Sequence, residues 1–345
     1  MSRLSWILVT LSAIFPAKQK YSRLKFGIRQ MQHKVAVIGC GHWGKNLVRN
    51  FSELGALGAV CDPDPDVATR MAEQYKVAAA GFEAICEDDE ISGLVIAAPA
   101  PLHAPLSLQA LAARKHIFVE KPLAMNCRES ESMIVAAANA NRHLMVGHLL
   151  QYHPAYVKLK EMTHNRDLGA VSHIQSNRLS FGKIRNAEDV VWSFAPHDIS
   201  MVLGLAGGEP NDVQIEKFDL TGNGLADKAS LTLQFDNRVS AQINVSWLNP
   251  DKEHKLTVIG SKGMAVFDDT QPWNTKLQIF PQYGVIKGDE VSLEKDEAYY
   301  VSLPEAEPLK IECQYFLDLI SGAVSPRTDG AEGNMVLKVL SSADR

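Results

Sequence analysis

A lysine between a glutamate and a proline follows a short apolar run in the first half of the chain. The segment reads HIFVEKPLAM, residues 116–125. A short apolar run that ends in such a turn is typical of a strand buried on both faces of a parallel sheet. In open sheets of this kind, ligands bind outside the carboxyl ends of the strands. We therefore expect Lys121 to project into a binding crevice, where its amine could stabilise developing negative charge.

A glycine motif nearer the start predicts a site for a dinucleotide. The motif GCGHWG (39–44) follows the apolar run VAVIG and opens a stretch with helical spacing. Gly39 would permit the tight turn, Gly41 would let the backbone approach a pyrophosphate, and Gly44 would allow close contact between helix and strand. The N-terminus of the helix would add free N–H groups and partial positive charge for the phosphates.

Asp62 bears on the choice of dinucleotide. It ends the second predicted strand, 18 positions beyond Gly44, where an acidic side chain binds the ribose diol of NAD. A carboxylate at this position repels the 2′-phosphate of NADP, so the sequence favours NAD. The alternative role is capping of the helix that the sequence DPDPD precedes.

The elements that position these residues change character along the chain. Apolar runs alternate with helical patterns from 34 to 147, which predicts a doubly wound parallel sheet of the Rossmann type. After about residue 170 the pattern alternates with a period of two, with turns at 236–237 and 261–262, which predicts antiparallel hairpins and a helix over 309–321. We predict an α/β chain with a Rossmann domain over 31–150 and an α+β domain over 151–345, built on a large, mostly antiparallel sheet.

Composition narrows the class of protein. With 46% hydrophobic and 22% charged residues the chain is typical of a globular protein, and its net charge of −5 argues against a nucleic-acid partner. The five cysteines are scattered without a CxxC pair, so we expect no metal site and a cytoplasmic location. The apolar stretch 6–15 is too short to span a membrane. We expect residues 1–30 to be a non-native or disordered extension, with Met31 as the true start, rather than a signal peptide.

Taken together, the motifs resemble the Gfo/Idh/MocA family of NAD(P)-dependent sugar oxidoreductases. The resemblance rests on GCGHWG, AAPAPLH (97–103), EKPLA (120–124) and PHDI (196–199), in that order along the chain. It implies that Lys121 lies beside the nicotinamide and the reacting hydroxyl, in a loop whose proline is often cis. It also implies a set of cofactor contacts: Gly39, Gly41, His42, Trp43, Gly44, Asp62, Ala98, Pro99, His103, Glu120, Lys121 and Gln151.

The resemblance implies a second catalytic group in the stretch WSFAPHDI. The family commonly has D-x-x-x-H ahead of an apolar helix, and here His197 matches the histidine while Ser193 stands at the aspartate position. Serine is not a base unaided, so the proton transfer is assigned to His197, whose side chain ordinarily titrates near neutral pH. The alternative is that His197 begins a helix with Asp198 as its cap.

Within the family, the chain resembles nucleotide-sugar 3-dehydrogenases of envelope biosynthesis. This implies oxidation of UDP-N-acetylglucosamine, or of the corresponding uronic acid, at C3, with a downstream pyridoxal-phosphate aminotransferase and a homodimer or homotetramer. The expected substrate contacts are Lys121, His148, Arg178, Arg185, Trp192 and His197, although Trp192 could equally pack in the core. Two alternatives are a 3-ketosugar reductase and a nonenzymatic regulator that binds NAD and a sugar.

Overall fold

A computed structural model describes residues 33–182, 188–287 and 290–344 of the chain. The described part contains two sheets with helices packed against them. The predicted fold class, a parallel Rossmann-type sheet followed by a mostly antiparallel one, is confirmed. Among the described residues, none of the helices combines the length and the apolar character needed to cross a membrane.

The first sheet is parallel, with strand order β3-β2-β1-β4-β5-β6. Its strands are β1 (Lys34–Ile38), β2 (Leu57–Cys61), β3 (Ala78–Ala79), β4 (Ile91–Ile96), β5 (His116–Val119) and β6 (Leu144–Val146). The helices along this part of the chain are α1 (Gly44–Glu53), α2 (Pro65–Tyr75), α3 (Phe82–Glu87), α4 (His103–Ala112), α5 (Cys127–Ala140) and α6 (Pro154–His164). Successive residues of β1 and β5 are buried because helices cover both faces of the sheet, as the continuous apolar runs predict.

The second sheet has the order β14-β13-β12-β11-β7-β10-β9-β8, with β15 paired to β13. Its strands are β7 (Val171–Phe181), β8 (Asp212–Phe218), β9 (Lys228–Gln234), β10 (Ser240–Ser246), β11 (Leu248–Gly260), β12 (Gly263–Asp268), β13 (Leu277–Lys287), β14 (Glu290–Lys295) and β15 (Tyr299–Tyr300). Both predicted hairpins are present, as the antiparallel pairs β9–β10 and β11–β12. Strands β7 and β10 pair in parallel. This pair joins the antiparallel strands β8 and β9 on one side to β11, β12, β13 and β14 on the other, in one continuous sheet.

One face of the second sheet packs against helix α7 (Val190–Ala206), which the alternation of the strands explains. In β10 the side chains of Ala241, Ile243 and Val245 are fully buried, while the residues between them are less buried. Helix α7 is apolar along most of its length and packs on β7 and β10. It begins at Val190 and is capped by Asp189, so His197 lies in mid-helix. The expectations that the apolar helix follows His197, or begins at it with Asp198 as its cap, are therefore wrong.

The last helices return to the first sheet. Helix α8 (Pro308–Ile320) packs on α1, and its Phe316 ring contacts Phe51 and Phe118 in the core of the first layer. Helix α9 (Gly330–Ser341) packs against both α5 and α7, and so joins the two layers. The predicted boundary between the two domains, at residue 150, stays a prediction. Helices α8 and α9 follow this boundary in the sequence but pack against the layer of the first sheet.

Candidate active site

A cleft of about 530 Å³ lies where the carboxyl ends of β1, β4 and β5 face helix α7 and strands β7 and β11. This is the edge at which parallel sheets bind ligands. The cleft contains the predicted lysine and histidine together with residues of the glycine motif. Its lining consists of His42, Trp43, Ala97, Ala98, Ala100, His103, Glu120, Lys121, Pro122, Arg178, Ser180, Glu188, Ser193, Phe194, His197 and His254.

The glycine motif forms a tight turn that leaves one position open. Gly39 has a φ of +91°, and a Cβ atom there would lie 2.8 Å from the carbonyl oxygen of Ala97. A Cβ atom at Gly44 would lie 1.9 Å from the carbonyl oxygen of Gly39. At Gly41, in contrast, a Cβ atom would meet no protein atom within 4 Å. The fold itself therefore requires Gly39 and Gly44, whereas the space at Gly41 suits a bound pyrophosphate.

The start of α1 is suited to an anion. Trp43 precedes the helix and its side chain does not cap it, and the first turn carries no acidic residue. The first N–H groups of a helix lack partners within the helix and carry partial positive charge. The N–H groups of Lys45 and Asn46 already donate to the carbonyl oxygens of Gly41 and Trp43, so the N-terminus of α1 offers an anion chiefly its partial positive charge beside the open position at Gly41.

Asp62 follows β2 and turns its carboxylate towards the glycine motif. Its Oδ2 atom accepts a hydrogen bond of 2.7 Å from the N–H of Cys40, and its Oδ1 atom accepts one of 3.0 Å from the N–H of Asp64. The cap of α2 is Asp64, which accepts hydrogen bonds from the N–H groups of Asp66 and Val67. The alternative role of Asp62 as a helix cap is therefore filled by Asp64.

The loop after β5 links the glycine motif to Lys121. The indole Nε1–H of Trp43 donates to Oε1 of Glu120 at 2.5 Å. Glu120 is buried, and burial raises the pKa of its carboxyl group. The Lys121–Pro122 peptide bond is cis, as the resemblance implied.

His103 fixes the same loop from the opposite side. Its Nδ1 atom lies 2.7 Å from the carbonyl oxygen of Pro122, and its Nε2 atom lies 2.8 Å from that of Ala98. The ring is almost fully buried, and burial lowers its pKa. His103 therefore lies between two loops of the cleft wall, and its neutral ring can donate to one of the two carbonyl oxygens. Pro99, predicted as a cofactor contact, is exposed and is absent from the cleft lining.

Lys121 reaches across the cleft to helix α7. Its Nζ atom donates a hydrogen bond of 3.1 Å to the carbonyl oxygen of Ser193, the residue at the expected aspartate position. Pro196 lies inside α7, where it has no N–H to donate to the preceding turn. The missing N–H leaves the carbonyl oxygen of Trp192, four residues earlier, without its helical donor, whereas the Lys121 amine bonds the next carbonyl oxygen along the helix, that of Ser193.

His197 lies one helical turn beyond Ser193 and is partly exposed in the cleft. Burial, followed by the positive charges of Lys121, Arg178 and His148, lowers the pKa of its imidazole well below 6.5. The ring is therefore neutral at neutral pH and can accept a proton. Its Nδ1 atom is buried and has no hydrogen-bond partner among the described residues.

Arg178 of β7 forms the cationic part of the opposite wall. Its Nε atom donates to Oδ2 of Asp198 at 2.5 Å, and Oδ1 of the same carboxylate accepts from the Ser176 hydroxyl at 2.6 Å. Asp198 thus fixes Arg178 rather than capping a helix. His254 lines the cleft nearby, and burial together with the charges of Arg178 and Lys252 lowers its pKa to about 4.

Several predicted contacts lie elsewhere. His148 and Gln151 are almost fully buried, and Trp192 packs against the hydrophobic core; none of the three belongs to the cleft lining. His148 bonds Glu332 and Gln151 bonds Ser200, so the structure does not bring these two side chains to the cleft. Arg185 lies outside the described residues. Among those described, no cluster of three side chains could hold a metal ion.

Sequence reasoning missed several residues of the cleft. Ser180, Phe194 and His254 line it, although none of them was predicted as a site residue. Ser180 and Arg178 are two positions apart on β7 and therefore share a face of the sheet, which is the signal that could have found Ser180. Glu332 lies outside the cleft lining and was not predicted either, because an acidic residue in the first turn of a helix indicates only an ordinary helix start.

Comparison with known proteins decides the family. Residues 33–148 match the model of an oxidoreductase family with an NAD-binding Rossmann fold, and residues 156–266 match the Gfo/Idh/MocA C-terminal domain. The chain belongs to the Gfo/Idh/MocA oxidoreductase family. It is therefore an NAD-binding oxidoreductase, and the predicted cofactor and reaction class are confirmed.

Individual relatives are distant. The chain is 25% identical over 307 residues to a UDP-N-acetylglucosamine 3-dehydrogenase of Acidithiobacillus ferrooxidans, covering 88% of this chain and 94% of that protein. It is 28% identical to an inositol 2-dehydrogenase of Acidothermus cellulolyticus, covering 69% of this chain and 74% of that protein.

Solved structures share the fold. The structure of UDP-N-acetylglucosamine 3-dehydrogenase from Acidithiobacillus ferrooxidans matches with a TM-score of 0.78 at 24% identity, covering 90% of this chain and 95% of that one. GenD2 from gentamicin A biosynthesis, solved in complex with NAD, matches with a TM-score of 0.76 at 20% identity, covering 96% of both chains. At these identities, the structural matches support the fold of this Gfo/Idh/MocA member rather than its substrate.

Proposed function

We propose that the protein oxidises a secondary hydroxyl group of a nucleotide sugar, namely C3 of UDP-N-acetylglucosamine, to a ketone with NAD⁺. The observation that carries the proposal is the placement of Lys121 and His197 in one cleft, beside the glycine motif. An amine and a neutral imidazole facing the same space are the groups that the oxidation of an alcohol requires.

The glycine motif and Asp62 would hold the cofactor. The open position at Gly41 and the N-terminus of α1 fit the pyrophosphate, and the carboxylate of Asp62 fits a ribose diol without a phosphate. Bound NAD⁺ would supply the hydride acceptor for the carbon that is oxidised.

His197 and Lys121 would share the work at the hydroxyl group. His197 takes the hydroxyl proton, because its lowered pKa keeps the ring neutral at neutral pH. The Lys121 ammonium group stabilises the negative charge that develops on the oxygen as the proton leaves. Its hydrogen bond to Ser193 fixes the amine on the side of the cleft where His197 lies.

The choice of a nucleotide sugar rests on Arg178 and on the relatives. Arg178 presents a guanidinium group to the cleft, and such groups bind phosphate with fixed geometry. A curated relative that covers most of the chain acts on UDP-N-acetylglucosamine. A 3-keto product of this kind is the substrate that an aminotransferase requires. We therefore propose that such an enzyme follows this one in envelope glycan or lipid A biosynthesis. We also propose that the protein forms a homodimer or homotetramer.

The decisive experiment measures NADH formation with a panel of UDP-hexoses, UDP-hexuronic acids and free cyclitols. An aminotransferase with its amino donor is included to consume the ketone and draw the reaction forward. We expect NADH with UDP-N-acetylglucosamine and none with the cyclitols. Turnover of a different sugar would show that UDP-N-acetylglucosamine is not the substrate. Binding of NAD⁺ and a sugar without formation of NADH would favour the alternative of a nonenzymatic regulator.

A further inference from the structure

The carboxylate expected near the catalytic histidine is absent from helix α7. Position 193 is a serine, and its hydroxyl group is buried without a hydrogen-bond partner among the described residues. The positive charges that face His197, those of Lys121, Arg178 and His148, all disfavour a proton on its ring. A base in these surroundings needs negative charge from elsewhere if it is to hold the proton it accepts.

A buried carboxylate reaches this region from the C-terminal helix α9. Oε2 of Glu332 lies 2.7 Å from Nδ1 of His148, and Oε1 accepts a hydrogen bond of 2.6 Å from the hydroxyl group of Ser200. The Ser200 hydroxyl group in turn accepts a hydrogen bond of 3.1 Å from Nε2 of Gln151. A carboxylate only accepts hydrogen bonds, so His148 carries its ring proton on Nδ1.

The ring of His148 packs edge-on against the ring of His197. Their centroids are 6.3 Å apart, with 79° between the planes. His148 is buried, and the charged groups that face it are Glu120 from the loop after β5 and Glu332 from α9. Burial raises the pKa of Glu120, which favours its neutral form. Glu332 is therefore the anion that pairs with His148 and offsets the positive charge that His148 presents to His197.

The packing of α9 fixes Glu332 in this place. A Cβ atom at Gly330 would lie 2.8 Å from the side chain of Leu144, and one at Gly333 would lie 2.8 Å from that of Val146. The two glycines therefore allow the first turn of α9 to lie directly against β6, the strand that precedes His148. Such close contact leaves Glu332 little freedom to turn away.

We infer that Glu332 is a positioning residue for the proposed oxidation: acting through His148, it supplies the negative charge that position 193 lacks and stabilises the proton that His197 accepts. The inference rests on the proposed function for its catalytic meaning, but the electrostatic coupling between Glu332 and the two histidines is measurable without substrate.

The test is Glu332→Gln, which removes the charge and keeps the size of the side chain. Nuclear magnetic resonance of protein labelled with ¹⁵N-histidine follows the titration of His197 and the tautomer of His148. We expect the His197 titration to move to lower pH in Glu332→Gln and the Nδ1–H form of His148 to lose population. An unchanged His197 titration and an unchanged His148 tautomer would overturn the inference, whether or not any sugar is oxidised.

Activity provides the second measurement once a substrate is known. We expect kcat to fall at least tenfold in Glu332→Gln with little change in KM, and the acid limb of kcat/KM to move to lower pH. Glu161→Gln, an exposed carboxylate on α6, is the matched control and should leave kcat and the His197 titration unchanged.

A folding defect in Glu332→Gln would be recognised by its thermal unfolding, and Glu332→Asp then replaces it, since it keeps the charge but withdraws the carboxylate from His148. A smaller downward shift of the His197 titration is expected, and its absence would count against the inference. A wild-type protein that oxidises none of the sugars would refute the proposed function and leave the coupling to be decided by the titrations.

Discussion

The Nζ atom of Lys121 lies 3.1 Å from the carbonyl oxygen of Ser193. This hydrogen bond joins the loop after the fifth strand of the first sheet to the helix that covers the second sheet. It places the amine on the helix that carries His197, one turn away. The two residues on which the function depends are 76 positions apart in the sequence, and both line the same cleft.

Lys121→Met should remove most of the activity and preserve the cofactor site. The substitution keeps the length of the side chain and removes the charge that would stabilise the alkoxide. We expect kcat to fall by roughly 10²–10³, the effect of losing one such group, while the Kd for NAD⁺ changes little. Steady-state NADH formation and calorimetric titration with NAD⁺ measure the two quantities. An undiminished kcat would remove Lys121 from the mechanism, and Lys158→Met, on the exposed side of α6, serves as the control.

His197→Asn should remove both the base and the acid limb of the pH profile. Burial lowers the pKa of His197 below 6.5, so the ring gains a proton, and stops acting as a base, only in acid. In the wild type, kcat/KM should therefore be flat around neutral pH and fall in acid below 6.5. In the variant we expect kcat to be lower by roughly 10²–10⁴, and kcat/KM should not show the fall in acid that the wild type shows. A variant whose acid limb matched that of the wild type would place the titrating group elsewhere.

The sequence predicts those features of the site that depend on local pattern. The GCGHWG turn, the strand before Lys121 and the two hairpins follow from residue spacing, and the structure contains all of them. The start of α7 could not be predicted in this way, because Pro196 suggests a boundary while packing on the second sheet continues the helix through it. The contact between His148 and Glu332 spans 184 positions and depends on how α9 returns to the first sheet. Nothing local signals it.

Gly41→Ala should weaken cofactor binding without affecting stability. A Cβ atom at this position meets no protein atom within 4 Å, but it would enter the space assigned to the pyrophosphate. We expect the Kd for NAD⁺ to rise at least tenfold and the free energy of unfolding to stay the same. Gly44→Ala is the contrasting variant, since its Cβ atom would lie 1.9 Å from a carbonyl oxygen and should destabilise the protein by roughly 1–3 kcal/mol or more. Unaltered NAD⁺ affinity in Gly41→Ala would mean that the phosphates bind elsewhere.

Asp62→Asn should relax the preference for NAD⁺ over NADP⁺. The amide keeps an acceptor for the N–H of Cys40 but loses the charge that repels a 2′-phosphate. We expect the ratio of kcat/KM for the two cofactors to shift at least tenfold towards NADP⁺. Asp64→Asn separates this effect from helix capping, because Asp64 caps α2 and asparagine also caps well. An equal shift in both variants would indicate a general charge effect rather than a ribose contact.

His116→Gln should make the protein less sensitive to acid. His116 begins β5, its ring stacks on His143 at 5.1 Å, and its Nδ1 atom accepts the N–H of His143 at 3.1 Å. Burial, together with the charges of His143, Arg142 and His33, lowers the pKa of His116 to about 3. Between 6.5 and that value the unfolded chain binds a proton that the folded chain does not, so stability falls as the pH falls, by up to about 1.4 kcal/mol per pH unit. In urea unfolding from pH 8 to pH 4, the free energy of unfolding should decline less steeply in the variant than in the wild type. The difference between the two proteins at pH 8 measures the effects of the substitution that are unrelated to titration. Parallel curves for the two proteins would show that His116 takes up its proton equally in the folded and unfolded states.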